Sequence, residues 1–106
     1  MFFRPSTPSI SVKNLRARLD SEDTPVLLDI RSAHERAHGS LGGVHIEMQS
    51  LPGRIDELSA HQEDEIIVYC QSGNRSASVV RFLRANGYAR AVNLAGGLVA
   101  WSRMNG

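Results

Sequence analysis

The chain has 106 residues, 42% hydrophobic and 22% charged, which suits one small domain built on a single core. Twelve Lys and Arg against eleven Asp and Glu leave a net charge of +1, too balanced for a protein that holds nucleic acid or a membrane surface by bulk electrostatics, so small ligands or protein partners are expected. One cysteine excludes an intrachain disulfide, and Met1-Phe2-Phe3-Arg4-Pro5 is too short an apolar stretch for a secretory signal or a membrane span; the expected location is cytoplasmic.

In chain order, residues 1–8 read as a flexible segment and residues 9–104 as one domain without linker, repeat or low-complexity tract. Ser9-Ile10-Ser11 reads as a short strand, and Ser11 caps a helix whose apolar positions Val12, Leu15 and Leu19 follow the helical period until Asp20-Ser21-Glu22-Asp23. Val26 to Ile30 is a nearly continuous apolar strand of the kind buried on both faces of a parallel sheet. Ser32 and Glu35 have the spacing of a capping box, opening a short helix that Gly39 stops. Val44-His45-Ile46 is the next strand, and Leu51 to Leu58 is a helix candidate that tolerates Pro52 in its first turn. Ile66 to Tyr69 is the most strongly apolar strand. After a polar loop, Val79, Val80, Phe82 and Leu83 form one helical face that ends at Asn86-Gly87. Ala91 to Leu94 is the last strand, and Gly96-Gly97 turns the chain into a closing helix with Leu98 and Trp101.

Strands alternating with helices over short connections predict an α/β fold with a mostly parallel sheet and helices on both faces. Ligands of such sheets bind beyond the carboxyl ends of the strands. Cys70 stands at such an end, between the strand closing on Tyr69 and the loop Gln71-Ser72-Gly73-Asn74-Arg75-Ser76. A loop wrapped around a sulfur can aim successive N–H groups inward as an anion nest, and the following helix adds the positive end of its dipole. Such a pocket favours a thiolate, the form in which cysteine is a nucleophile. Gly73 supplies a φ that other residues resist, Arg75 a charge at the rim, and Ser72 and Ser76 hydroxyl donors. No His stands beside the loop in sequence, and none is needed as a base if the thiolate is already formed.

The segments Ile67 to Ser76, Gly87-Tyr88 and Val92 to Trp101, with Leu28-Asp29-Ile30-Arg31, Glu35 and Gly39 to Ile46 in the first half, resemble a rhodanese (sulfurtransferase) domain from about residue 10 to about residue 101. Where that family often reads Gly-His-Ile-Pro-Gly-Ala, this chain reads Gly39-Ser40-Leu41-Gly42-Gly43-Val44, and Glu47 stands where a Pro is common. These departures bear on the rigidity of the loop before the third strand and leave the cysteine loop untouched. The resemblance implies a rhodanese-like fold with a central five-stranded sheet, and a Cys70 that accepts sulfur as a persulfide and passes it on. Thiosulfate or a persulfide would be the donor, and a thiol, cyanide or a sulfur-relay protein the acceptor. Gln71, Ser72, Gly73, Asn74, Arg75 and Ser76 would bind substrate, without cofactor or metal. A non-enzymatic carrier or regulatory module of the same fold is the alternative. A cysteine-dependent phosphatase or arsenate reductase fits less well, because only four residues separate Cys70 from Arg75 where those enzymes use five, and there is no second cysteine to resolve an intermediate.

Other residues are assigned quieter roles. Asp29 and Arg31 are expected to orient the neighbouring loops through charge-assisted hydrogen bonds rather than to take part in catalysis. His34-Glu35-Arg36-Ala37-His38 matches the zinc-protease pattern, but Gly39 ends the helix at once and no third ligand follows at a suitable spacing. The expected reading is two surface histidines, with Glu35 serving the cap or pairing with an Arg. His45 and His61 receive no role. Trp101, Phe82 and Tyr88 are read as packing, and Gly96-Gly97 as a tight turn rather than a phosphate site.

Overall fold

A computed structural model of the chain describes residues 7–105; of the predicted flexible segment 1–8, residues 1–6 lie outside the described residues, as does Gly106. Five strands, β1 (Ser9–Ile10), β2 (Val26–Asp29), β3 (Val44–His45), β4 (Ile66–Tyr69) and β5 (Ala91–Leu94), form one sheet in the order β1-β5-β4-β2-β3. Every strand pair is parallel, so the sheet expected to be mostly parallel is wholly so among the described residues. Pro8 and Thr7 are tied down just ahead of β1, the Pro8 carbonyl accepting from the Asn93 amide at 2.8 Å and the Thr7 hydroxyl from Arg81 at 2.9 Å.

The helices are α1 (Val12–Leu19), α2 (Ala33–Ala37), α3 (Leu51–Arg54), α4 (Asn74–Ala85) and α5 (Gly97–Asn105). Because β2 and β4 are covered on both faces, their apolar runs are continuous rather than alternating. Leu28, Ile66, Val68 and Cys70 face a core shared with Leu51, Leu58, Val79, Val80 and Leu83 from the α3 and α4 side. Leu27, Ile67, Tyr69 and Leu94 face the opposite core with Leu15 of α1 and Leu98 of α5. The strand alternation thus points Cys70 and Tyr69 to opposite sides of the sheet.

Local signals set the helix starts. The Ser11 hydroxyl accepts from the Asn14 amide, and both arms of the Ser32–Glu35 capping box form at 3.1 Å. One element differs from expectation. The helix predicted over Leu51–Leu58 is α3 alone, preceded by a 3-10 turn at Met48–Ser50 and continued as a 3-10 stretch over Ile55–His61. Gly53 weakens the α-helix from within, and the three-residue spacing of Ile55 and Leu58 keeps both on one side in 3-10 geometry. The Tyr88 hydroxyl also donates to the Ile55 carbonyl at 3.2 Å, where the 3-10 stretch begins.

Register brings the functional end together. Asp29 pairs with Tyr69 and with His45, and Val68 pairs with Asn93, so the carboxyl ends of β2, β3, β4 and β5 meet at one edge of the molecule.

Candidate active site around Cys70

Cys70 follows β4 directly, and its side chain is fully buried. The chain leaves the strand, turns through Gly73 at φ +96° and enters α4 at Asn74, so the first amides of that helix point back at the sulfur. The Gly73 amide donates to the Cys70 Sγ at 3.1 Å and the Ser76 amide at 3.4 Å, with the Ser76 hydroxyl 3.3 Å away. Burial pushes the thiol pKa up, but hydrogen bonds from the Ser76 hydroxyl and amide and from the Gly73 and Ser72 amides outweigh it, and the net shift is downward. These donors favour the thiolate over the thiol without a neighbouring base.

The Gly96-Gly97 turn locks this loop from behind. The Cys70 carbonyl accepts from the Leu98 amide and the Gln71 carbonyl from the Val99 amide, both at 3.0 Å, so the amino end of α5 caps the cysteine loop's own backbone. Gly97 has φ +58°, and a Cβ there would lie 2.5 Å from the Cys70 carbonyl oxygen and 2.6 Å from that of Gln71. A side chain would thus have to push apart two rigid backbones. Gly97→Ala is expected to lower stability in urea unfolding by about 2 kcal/mol or more, through the left-handed backbone and the forced separation together.

A buried ionic frame stands beside the loop. Arg31, 2% exposed, makes a paired contact with the fully buried Asp29 at 3.0 and 2.9 Å, and Arg36 reaches the same carboxylate at 3.1 Å. Burial favours the neutral acid at Asp29, but the Arg31 hydrogen bonds and the charges of Arg31 and Arg36 win and lower its pKa. Arg31 also donates to the Gln71 side-chain oxygen at 3.2 Å, and to the Glu35 and Gly39 carbonyls. Glu35 completes the capping box and also binds both outer nitrogens of Arg75, at 2.9 and 2.8 Å. Hydrogen bonding from Arg75 is the main reason its pKa falls to about 2. Two clamps, Arg31 to Gln71 and Glu35 to Arg75, hold the cysteine loop against α2.

The predicted loop residues therefore occupy distinct places. Ser76, Gly73 and Ser72 address the sulfur; Gln71 faces Arg31; Asn74 opens α4 and is exposed; and the Arg75 guanidinium is engaged by Glu35 at the rim. Asn93 was not among them. Its Oδ1 accepts the Ser76 hydroxyl at 2.5 Å and its Nδ2 donates to the Gly73 carbonyl at 3.2 Å. The polar Asn93 inside the last apolar strand was the available signal. The sequence places Tyr69 only as the end of a strand; in the fold its hydroxyl donates to the Gly42 carbonyl at 2.8 Å, accepts from the Leu41 amide at 3.2 Å and lies 3.0 Å from the Ser40 hydroxyl. It braces the segment that lacks the His and Pro common at these positions.

A cavity of about 470 Å³ opens beside this frame, lined by His34, His38, Leu41, Gln71, Leu98 and Trp101 among others. It meets the cysteine loop through Gln71, and Cys70 itself does not form its wall. The two histidine rings are 4.7 Å apart, with the His38 Nδ1 2.9 Å from the His34 carbonyl oxygen. Glu35, the centre of the protease-like pattern, is committed to Ser32 and Arg75. Among the described residues no group of three or more His, Cys, Asp or Glu is placed to hold a metal ion, and no helix is long and apolar enough to cross a membrane.

A parallel five-stranded sheet with a buried cysteine loop at its carboxyl edge is the architecture the sequence resemblance implied. Residues 11–104 match the model of the rhodanese-like domain, and the chain belongs to that family. It is 34% identical over 95 residues to a sulfurtransferase of Allochromatium vinosum, covering 89% of this chain and 87% of that protein. It is 31% identical to the provisionally named sulfur carrier protein YrkF of Bacillus subtilis, spanning 92% of this chain but only 52% of that protein. Among solved structures, the human single-domain sulfurtransferase TSTD1 superposes with a TM-score of 0.78 at 29% identity, covering 92% of this chain and 97% of that one.

Proposed function

We propose that this protein is a sulfurtransferase that moves sulfane sulfur through a persulfide on Cys70. The observation that carries the reading is the Cys70 Sγ under the Gly73 and Ser76 amides, at 3.1 and 3.4 Å, ahead of α4. A thiolate in this setting attacks the outer sulfur of thiosulfate; a new Sγ–S bond forms, the donor S–S bond breaks, and its electron pair leaves on sulfite. The negative charge passes to the terminal sulfur, where the rim charge of Arg75 and the helix dipole favour it. A thiolate or cyanide then takes that sulfur and returns Cys70 to its starting state. Asp29 and Arg31 act as positioning residues through Gln71, and cytoplasmic placement is consistent with a lone thiol kept reduced.

A second reading is a carrier module that takes sulfur only from a partner protein. It is favoured by the complete burial of Cys70, which a docking partner could relieve by opening the loop. The intact chain weighed after incubation with thiosulfate is expected to carry one added sulfur, lost again on treatment with cyanide. No adduct from thiosulfate, but one from a protein persulfide, would select the carrier reading; no adduct from either would overturn both.

A further inference from the structure

We propose that Asn93 is a positioning residue that competes with the Cys70 sulfur for the single hydrogen Ser76 can donate, so that the Ser76 hydroxyl turns with the charge on the sulfur. The inference rests on the proposed sulfur chemistry for its consequence and on geometry alone for its existence. Asn93 Nδ2 donates to the Gly73 carbonyl, which fixes the amide with Oδ1 toward Ser76. Ser76 donates to that oxygen at 2.5 Å while its own oxygen lies 3.3 Å from Sγ. Cys70 and Ser76 are fully buried and Asn93 is 6% exposed, so water has little access to replace a missing partner.

A hydroxyl has one hydrogen to give and two lone pairs to offer. With a neutral thiol every group is satisfied: the S–H points to the Ser76 oxygen, and Ser76 donates to Asn93. With a thiolate the arrangement conflicts. Either Ser76 turns its hydrogen to the sulfur and leaves the Asn93 oxygen short of a donor, or it stays with Asn93 and presents a lone pair to a negative sulfur. Asn93 therefore makes the Ser76 hydroxyl bond to the thiolate costlier, beside the bonds the Gly73 and Ser76 amides already give. A thiolate held more weakly has the higher pKa and is the stronger nucleophile. When Sγ bonds to the incoming sulfur and the donor's leaving group departs with the electron pair of the broken S–S bond, the charge moves to the terminal sulfur. Ser76 then returns to Asn93, and no proton leaves the site.

Charged groups also stand on the elements packed around the cysteine loop. Arg75 on α4 is itself favoured by the Cys70 thiolate, Glu35 on α2 binds Arg75, and Asp29 at the end of β2 is paired with Arg31 and Arg36. The nearby imidazoles are His34 and His38, which line the cavity, and His45, which contacts the Arg31 carbonyl. The variants below leave all of them in place.

The test is the pH profile of iodoacetamide alkylation of this sole thiol. Asn93→Ala is expected to move the midpoint to lower pH and, once ionisation is complete, to react more slowly. A hydrogen bond to a charged group corresponds to about a tenfold shift in ionisation, which lowers the plateau rate about threefold. A merely loosened loop would expose the sulfur and raise the plateau. Ser76→Ala should move the midpoint up, and the double variant should match Ser76→Ala because no hydroxyl remains to be contested. Should Asn93→Ala fold poorly, Asn93→Leu removes the same acceptor while filling its volume and is expected to lower the midpoint likewise. An unchanged or raised midpoint in whichever of the two variants folds, or a shift that persists without Ser76, overturns the proposal. Alkylation needs no sulfur donor, so a failed thiosulfate reaction would leave this result standing.

Discussion

Cys70→Ser is expected to fold like the parent and to transfer no sulfur. A serine oxygen can accept from the Gly73 and Ser76 amides that now hold the sulfur, so the loop keeps its hydrogen bonds and the melting temperature should move by only a few degrees. The chemistry does not survive, because a hydroxyl stays protonated near neutrality and its oxygen does not store a transferable sulfur atom. Thiosulfate to cyanide turnover should fall on the order of 10³-fold or more, as when other covalent nucleophiles are removed. The parent's rate should rise with pH through the thiol ionisation, with its midpoint below the ordinary thiol value of 9.0, because the loop's hydrogen bonds lower that pKa. Equal turnover in Cys70→Ser and the parent would exclude a covalent step. Absence of turnover in both would point to the carrier reading.

Features that lie within a few residues of one another were legible before the fold was known. β2 and β4 are apolar runs closing on Asp29 and Tyr69, β5 is an apolar run interrupted by Asn93, and Cys70, Gly73 and Ser76 meet because a strand, a tight loop and a helix start follow one another directly. The capping box is likewise written into four adjacent residues. What escaped is what the fold brings in from a distance: Asn93 lies 17 positions from Ser76, and Gly42 lies 27 from Tyr69. Glu35 was expected to serve the cap or an Arg; it does both, the second across 40 positions. The broken helix after β3 escaped for another reason. Leu51, Ile55 and Leu58 fit an α-helical face as well as they fit a mixture of α and 3-10 turns, and the choice is made by Gly53 and by the Tyr88 contact to the Ile55 carbonyl.

The departures in the Gly39 to Val44 segment gain a physical account from the same long-range contacts. A Pro would have restricted the backbone there in the unfolded chain as well as the folded one. Here Tyr69 grips Ser40, Leu41 and Gly42, Arg31 holds the Gly39 carbonyl, and Arg36 holds that of Gly43, so folded-state hydrogen bonds supply the order. Gly43 cannot easily be exchanged, since its Cβ would sit 2.4 Å from the Leu27 carbonyl oxygen at a φ of +85°.

Asp29→Ala is expected to be the most destabilising single change outside the apolar core. Arg31 is 2% exposed and cannot shed its charge, so removing the carboxylate leaves a guanidinium buried against Tyr69 with only neutral acceptors, the Glu35 and Gly39 carbonyls and Gln71. Breaking one side of a buried pair costs about 3–5 kcal/mol, which for a chain of this size lowers the melting temperature by at least about 10 °C. The acid dependence has a definite sign. The Asp29 pKa is lower in the folded protein than in the unfolded chain, so its contribution is complete above the unfolded value and is lost as pH falls toward the folded one. In acid the parent should therefore approach Asp29→Ala in stability, and the gap between their unfolding curves should close. The damage extends to the cysteine loop because Arg31 holds Gln71 beside Cys70: any folded fraction of Asp29→Ala should show altered alkylation of the thiol. A stability loss below about 1 kcal/mol would mean that the surrounding carbonyls alone satisfy Arg31, and that the cysteine loop is positioned by the Glu35–Arg75 clamp instead.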